Sequence, residues 1–202
     1  LIDSAPHASY HAIDASPAMV SATTARCPEA TVDLGDVLAL PWPEAAFDAA
    51  LCMHVLYHVP DQSQAIGELA RVLKDDGWAL VTTVAADGSD DCIALHNAAC
   101  ADAGLEAWSC DTWPAQRFNT TNGGQLLGEV FAEVEFFPRT ATLVYEHSAD
   151  ALAYYTSMDY FQQVARANPA AADSLYAAAE ARINAAIAQD GALRIRKDCG
   201  TW

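Results

Sequence analysis

Basic residues are scarce in this chain. Ten lysines and arginines face 27 aspartates and glutamates, a formal net charge of −17, and the lysines are only Lys74 and Lys197. Holding a nucleic-acid backbone takes basic patches that displace counterions from phosphate, so this balance excludes nucleic acid as a partner. An acidic surface chiefly favours solubility. Long apolar runs are missing too: none approaches the ~20 residues that cross a bilayer, and the start lacks the basic-then-apolar pattern of a secretory leader. The expected location is therefore the cytoplasm, with no membrane partner. The six cysteines, Cys27, Cys52, Cys92, Cys100, Cys110 and Cys199, include no CxxC pair. A disulfide framework is not expected, and most of them read as small buried hydrophobes.

What the sequence has is material for a core. Hydrophobic residues make up 52% of 202, enough for one sizeable domain or one domain with a small subdomain. Three short apolar runs, residues 10–13, 46–53 and 78–84, are separated by stretches that read as helix or turn. That alternation is the pattern of a doubly wound α/β fold. In such sheets ligands bind outside the carboxyl ends of the strands. Asp14 ends the first run, Asp36 opens the turn before Leu40-Pro41-Trp42-Pro43, and residues 53–58 leave the second run. These positions are expected to share one crevice.

Ser16-Pro17 is a helix start, since serine accepts a free backbone N–H and proline fits the first turn. The helix should run to about Arg26, with Met19 facing the crevice, and a short strand over 30–34 then delivers Gly35-Asp36-Val37. Residues 41–46 read as a loop. Residues 61–73 form an amphipathic helix with Ile66, Leu69, Ala70, Val72 and Leu73 as its stripe, and residues 74–77 are its C-terminal turn. A helix over 89–103 sets Cys92, His96 and Cys100 on one face; zinc sites usually draw on two segments, so this face is read as buried and no metal is expected. Residues 108–117 carry two tryptophans that line an acceptor pocket or cover the sheet. A loop and helix start follow at 118–127. Residues 131–137 alternate like a strand, and 140–145 form another apolar run. Residues 148–188 are helical, divided in two by Pro169, and 191–196 form a last strand.

The segments IDASPAM, GDVLALPWPEAAFD, LCMHVLYHVPD and LARVLKDDGWALVTT together resemble the class I S-adenosylmethionine-dependent methyltransferases, in the branch that acts mostly on small molecules. The resemblance is strong over about residues 8–84 and weaker over 118–147 and 190–202. It implies a Rossmann-like, mostly parallel sheet with flanking helices and an antiparallel last strand, built from residues 1–148 and 190–202. Residues 149–189 would be a small helical insertion, either a lid over the acceptor or a packing hairpin. It further implies S-adenosylmethionine as cofactor and a small-molecule methyl acceptor.

On the resembled pattern Asp14, with Ala15 beside it, accepts from the ribose hydroxyls. Asp36 accepts from the adenine amino group, Val37 packs on the ring, and Met19 lies near it. Met53 and His54 line the methionyl end, and His58 is the candidate general base, its pKa being near neutrality. Methyl transfer is a one-step displacement in which alignment supplies much of the acceleration, so a base is optional. Each residue also has a plainer reading: Asp14 as a helix cap, Asp36 as a turn-former, Met19 as core, the histidines as rings under the adjacent helix. The family's glycine-rich turn has no counterpart before Asp14. The expectation is therefore a chain without the first strand and glycine loop, with an exposed sheet edge, that binds S-adenosylmethionine poorly or not at all. A non-catalytic Rossmann-like fragment or binding protein is the alternative. A nicotinamide-dependent oxidoreductase is disfavoured, because no Tyr-x-x-x-Lys pair occurs.

Overall fold

Polar caps start the helices where the sequence places them. Ser16 accepts from the Met19 N–H ahead of Pro17, Asp61 from the Gln64 N–H, and Asn168 from the Ala171 N–H ahead of Pro169. Each satisfies a backbone donor that the first helical turn leaves open. The computed structural model describes residues 8–85, 91–109 and 114–202. Within them the first half of the fold runs β1 Tyr10–Asp14, α1 Pro17–Arg26, β2 Ala30–Leu34, β3 Phe47–Met53, α2 Gln62–Val72 and β4 Leu73–Val84. The second half runs α3 Asp91–Asp102, α4 Gly123–Gly128, β5 Phe137–Tyr145, α5 Ser148–Ser157, α6 Asp159–Ala167, α7 Pro169–Asp190 and β6 Leu193–Thr201, with a 3-10 turn at Pro114–Gln116. None of the described helices is long and apolar enough to cross a membrane.

The α/β class and the antiparallel last strand are as expected. The strands form two ladders: β1 and β2 pair in parallel, and the other four run in the order β3-β4-β6-β5. β3 and β4 are parallel, whereas β6 is antiparallel to both of its neighbours. Side chains join the two sheets. His11 of β1 stands 5.7 Å from the Phe47 ring and 6.2 Å from Trp42, and Trp42 meets Phe47 edge-on at 5.0 Å.

Four boundaries correct the sequence reading. Residues 74–77 are not a helical turn: α2 stops at Val72 and the segment lies within β4. Between Phe47 and Ala49 the partner register jumps from Leu73 to Trp78, so these polar residues bulge out of the ladder. Residues 131–136 alternate but form no strand. The adjoining strand begins at Phe137, opposite Thr201, and the register of β6 offers no partner before that residue. The helical stretch divides at Met158 as well as at Pro169, giving three helices. Thr156 and Ser157 hydroxyls donate back to carbonyls three and four residues earlier, which competes with helix continuation. The last strand is Leu193–Thr201 rather than 191–196, because Gly191 at φ 75° is the left-handed cap of α7. Cys110 and Trp113 lie outside the described residues, as does the start of the helix expected at 89.

Two main cores result. One gathers Cys52, Leu56, Ile66, Leu69, Val72 and Val81 beneath α2, closed by Phe118, Leu127 and Trp202. The other packs α3 against α5, α6, α7 and Ile195 of β6. Cys92, His96 and Cys100 are all buried in or beside it, as their shared helical face suggests.

Candidate active site

Where β1 ends, the Asp14 carbonyl accepts from the Gly35 N–H at 3.1 Å, which ties it to the exit of β2. The Asp14 carboxylate accepts from the Ser16 N–H through Oδ1 at 2.8 Å. The helix cap is thus Ser16, and Asp14 holds the turn in front of it. Asp36 does the same after β2, its Oδ1 accepting from the Leu38 N–H at 2.9 Å. The plain turn-forming role therefore engages one oxygen of each carboxylate. Oδ2 of each takes no hydrogen bond from the described residues. A Cβ at position 35 would meet Ile13 at 3.3 Å, so glycine lets the two strand exits close up.

The exit of β3 is tighter. His54 has φ 58°, a left-handed conformation uncommon outside glycine. Its N–H donates to the Thr82 hydroxyl and carbonyl, both at 3.1 Å. Leu56, fully buried, anchors the following turn, and Gln62 Nε2 donates to the Leu56 and Val59 carbonyls at 3.1 and 2.7 Å. Leu56 points inward, Tyr57 packs half-buried on the same core, and His58 turns outward, its ring 4.3 Å from that of Tyr57. Burial holds the pKa of both His54 and His58 below the usual histidine value; His58 and Lys197 lower His54 further, while Asp159 partly offsets the effect on His58. Both rings are therefore neutral at pH 7. Burial raises the Tyr57 hydroxyl, and Lys197 pulls it partly back.

The three exits converge on one core. Ile13 and Val37, the neighbours of Asp14 and Asp36, pack on the same cluster as Cys52 and Leu56, which bracket Met53 and His54. Val37 is half-buried there, whereas Met19 and Met53 stay about half exposed, and Asp14, Ala15, Asp36, His54 and His58 reach the surface. Thr82, Lys197 and Asp159 were not singled out from the sequence. Thr82 carried a signal, being a hydroxyl in an apolar strand opposite Met53. The other two come from β6 and α6, more than a hundred residues away in sequence.

This is an α/β domain whose polar residues gather at the carboxyl ends of parallel strands. Residues 2–81 match the methyltransferase domain family. A probable S-adenosylmethionine-dependent methyltransferase of Mycolicibacterium smegmatis is 35% identical over 71 residues, 35% of this chain and 28% of the relative. The uncharacterized methyltransferase YcgJ of Bacillus subtilis is 34% identical over 74 residues, 34% of this chain and 29% of YcgJ. The crystal structure of YcgJ superposes on 96% of this chain and 81% of its own, with a TM-score of 0.51 at 16% identity, which shows a shared fold. Over residues 2–81 the chain is thus similar to S-adenosylmethionine-dependent methyltransferases. The matched segment spans less than a third of the length of each of those curated relatives.

Proposed function

We propose that the protein transfers the methyl group of S-adenosylmethionine to a small-molecule acceptor. The observation that carries this reading is the convergence of Asp14, Asp36 and His54 on one core cluster at the carboxyl ends of β1, β2 and β3. The residues fit the cofactor chemically. Asp14 and Asp36 are acceptor-only groups, each fixed by its own turn through Oδ1, with Oδ2 left for a donor. Asp14, beside Ala15, would take the ribose hydroxyls and Asp36 the adenine amino group. Val37 and the exposed Met19 would flank the ring, and Met53 and His54 would border the methionyl end. When bound, the cofactor supplies a sulfonium-activated methyl group. The chain's own contribution is alignment of the acceptor, with neutral His58 placed to receive a proton where the acceptor must lose one.

The acceptor is read as small because a charge of −17 disfavours polyanions. Residues 1–148 and 190–202 would form the catalytic domain and 149–189 the helical insertion. As a lid, the insertion would act through Asp159, which already reaches the field of His58. A second reading, a Rossmann-like fragment without catalysis, is favoured by one observation: α1 buries none of its residues, and Leu51 and Met53 on β3 are 44% and 49% exposed.

Calorimetric titration of the chain with S-adenosylhomocysteine tests the first reading. Micromolar binding that is lost in Asp14→Ala supports it. A folded chain that gives no heat favours the second.

A further inference from the structure

At the end of β4 opposite to Thr82, a cleft of about 670 Å³ opens between residues 73–79 and the irregular segment 130–137. Its floor is Val81, Leu127 and Trp202, all buried. Its walls are apolar yet wet: Trp78 is 53% exposed, Val130 42%, Val134 37% and Phe137 40%. Apolar side chains of this size left in water around a single opening mark a binding surface more often than chance scatter does. The rim is acidic, with Asp75, Asp76, Glu133 and Glu135. Lys74 is the one lysine among the described lining residues, and its ammonium is taken by Asp48 at 2.6 Å.

These features select the occupant. An anion is repelled by four carboxylates, and so is a second copy of a chain carrying −17. A cation with an apolar body is favoured twice, by the carboxylates and by the face of Trp78, the ring that best attracts cations. The volume falls in the range of about 300–1,000 Å³ that holds small molecules. We propose that this cleft is a second binding site, for a small organic cation of the alkyl- or aryl-ammonium class. No residue placed in the methyl-transfer site lines it, so it stands whether or not that reading holds.

The test is calorimetric titration of the whole chain with 2-naphthylmethyl-trimethylammonium beside the neutral 2-naphthylmethanol. Saturable one-to-one binding is expected, about ten-fold tighter for the cation. Glu133→Gln with Glu135→Gln should weaken it about five-fold, as should Trp78→Ala, with circular dichroism unchanged. Saturating S-adenosylhomocysteine should leave the affinity where it was. Equal affinity for cation and alcohol overturns the proposal, as does binding that neither variant alters, binding displaced by S-adenosylhomocysteine, or no saturable binding at all.

Discussion

The His54 N–H donates at 3.1 Å to both the hydroxyl and the carbonyl oxygen of Thr82. A buried threonine on β4 thereby holds the first residue beyond β3 in a left-handed turn. The turn carries Tyr57 and His58 to the rim of the crevice, so the β3 exit is set by a side chain on the neighbouring strand.

Thr82→Val keeps the shape and removes the hydroxyl acceptor. It should cost about 1 kcal/mol in chemical denaturation, since the carbonyl still accepts. Binding of S-adenosylhomocysteine should weaken several-fold. His54→Gly removes the steric cost of φ 58° and should add up to about 1 kcal/mol.

Asp14→Asn separates the two roles of that side chain. The amide oxygen still accepts from the Ser16 N–H, so stability should hold to within about 0.5 kcal/mol. The affinity for S-adenosylhomocysteine should fall about ten-fold or more, because a charged acceptor for two hydroxyls is gone. Unchanged affinity, read by calorimetry, would leave Asp14 as a turn residue alone.

Arg71 spans three acceptors. It donates to the Glu68 carboxylate at 2.6 and 2.8 Å, to the Trp42 carbonyl at 2.8 Å and to the Leu40 carbonyl at 3.0 Å. Glu68 in turn accepts from the Leu40 N–H at 2.7 Å. A lysine lacks the guanidinium fork. Arg71→Lys should loosen the loop that follows Asp36 and Val37, with amide exchange at Leu40 rising about ten-fold or more.

His96 links stability to pH. It is buried, joined to Tyr155 at 2.9 Å, and burial pulls its pKa down to about 4. Between about 4 and the ordinary histidine value the unfolded chain carries a proton there and the folded chain does not. Stability must therefore fall as pH drops from 6.5 toward 4, by on the order of 3 kcal/mol. Denaturation midpoints measured between pH 7 and 5 should follow this slope, and His96→Gln should flatten it.

Patterns of near neighbours were legible in the sequence. Ser16-Pro17 and Asp61 gave helix starts, because capping is a matter of three or four residues. Asp14, Asp36 and His54 read as strand exits, because apolar runs stop there. Relations that depend on distant partners were not. The alternation of residues 131–137 looks like a strand, and only the register of β6 leaves its first part unpaired. The polar run 74–77 reads as a turn, and only the ladder with β3 makes it a bulge. Lys197 and Asp159 reach the histidines by folding back from the far end of the chain, which no local spacing encodes.

The strand order β3-β4-β6-β5 also governs how the molecule comes into being. β6 is a central strand, yet more than a hundred residues separate it from β4, and Trp202 exchanges both backbone bonds with Val81 at 2.9 and 3.0 Å. On the ribosome, β4 emerges early and waits with one edge open until the segment bearing Trp202 arrives. Closing so long a loop is slow, and an open apolar edge during that interval invites pairing with other nascent chains. The helices α5 to α7 are made before β6 and pack with it in one core, so they are in place to receive that strand when it arrives.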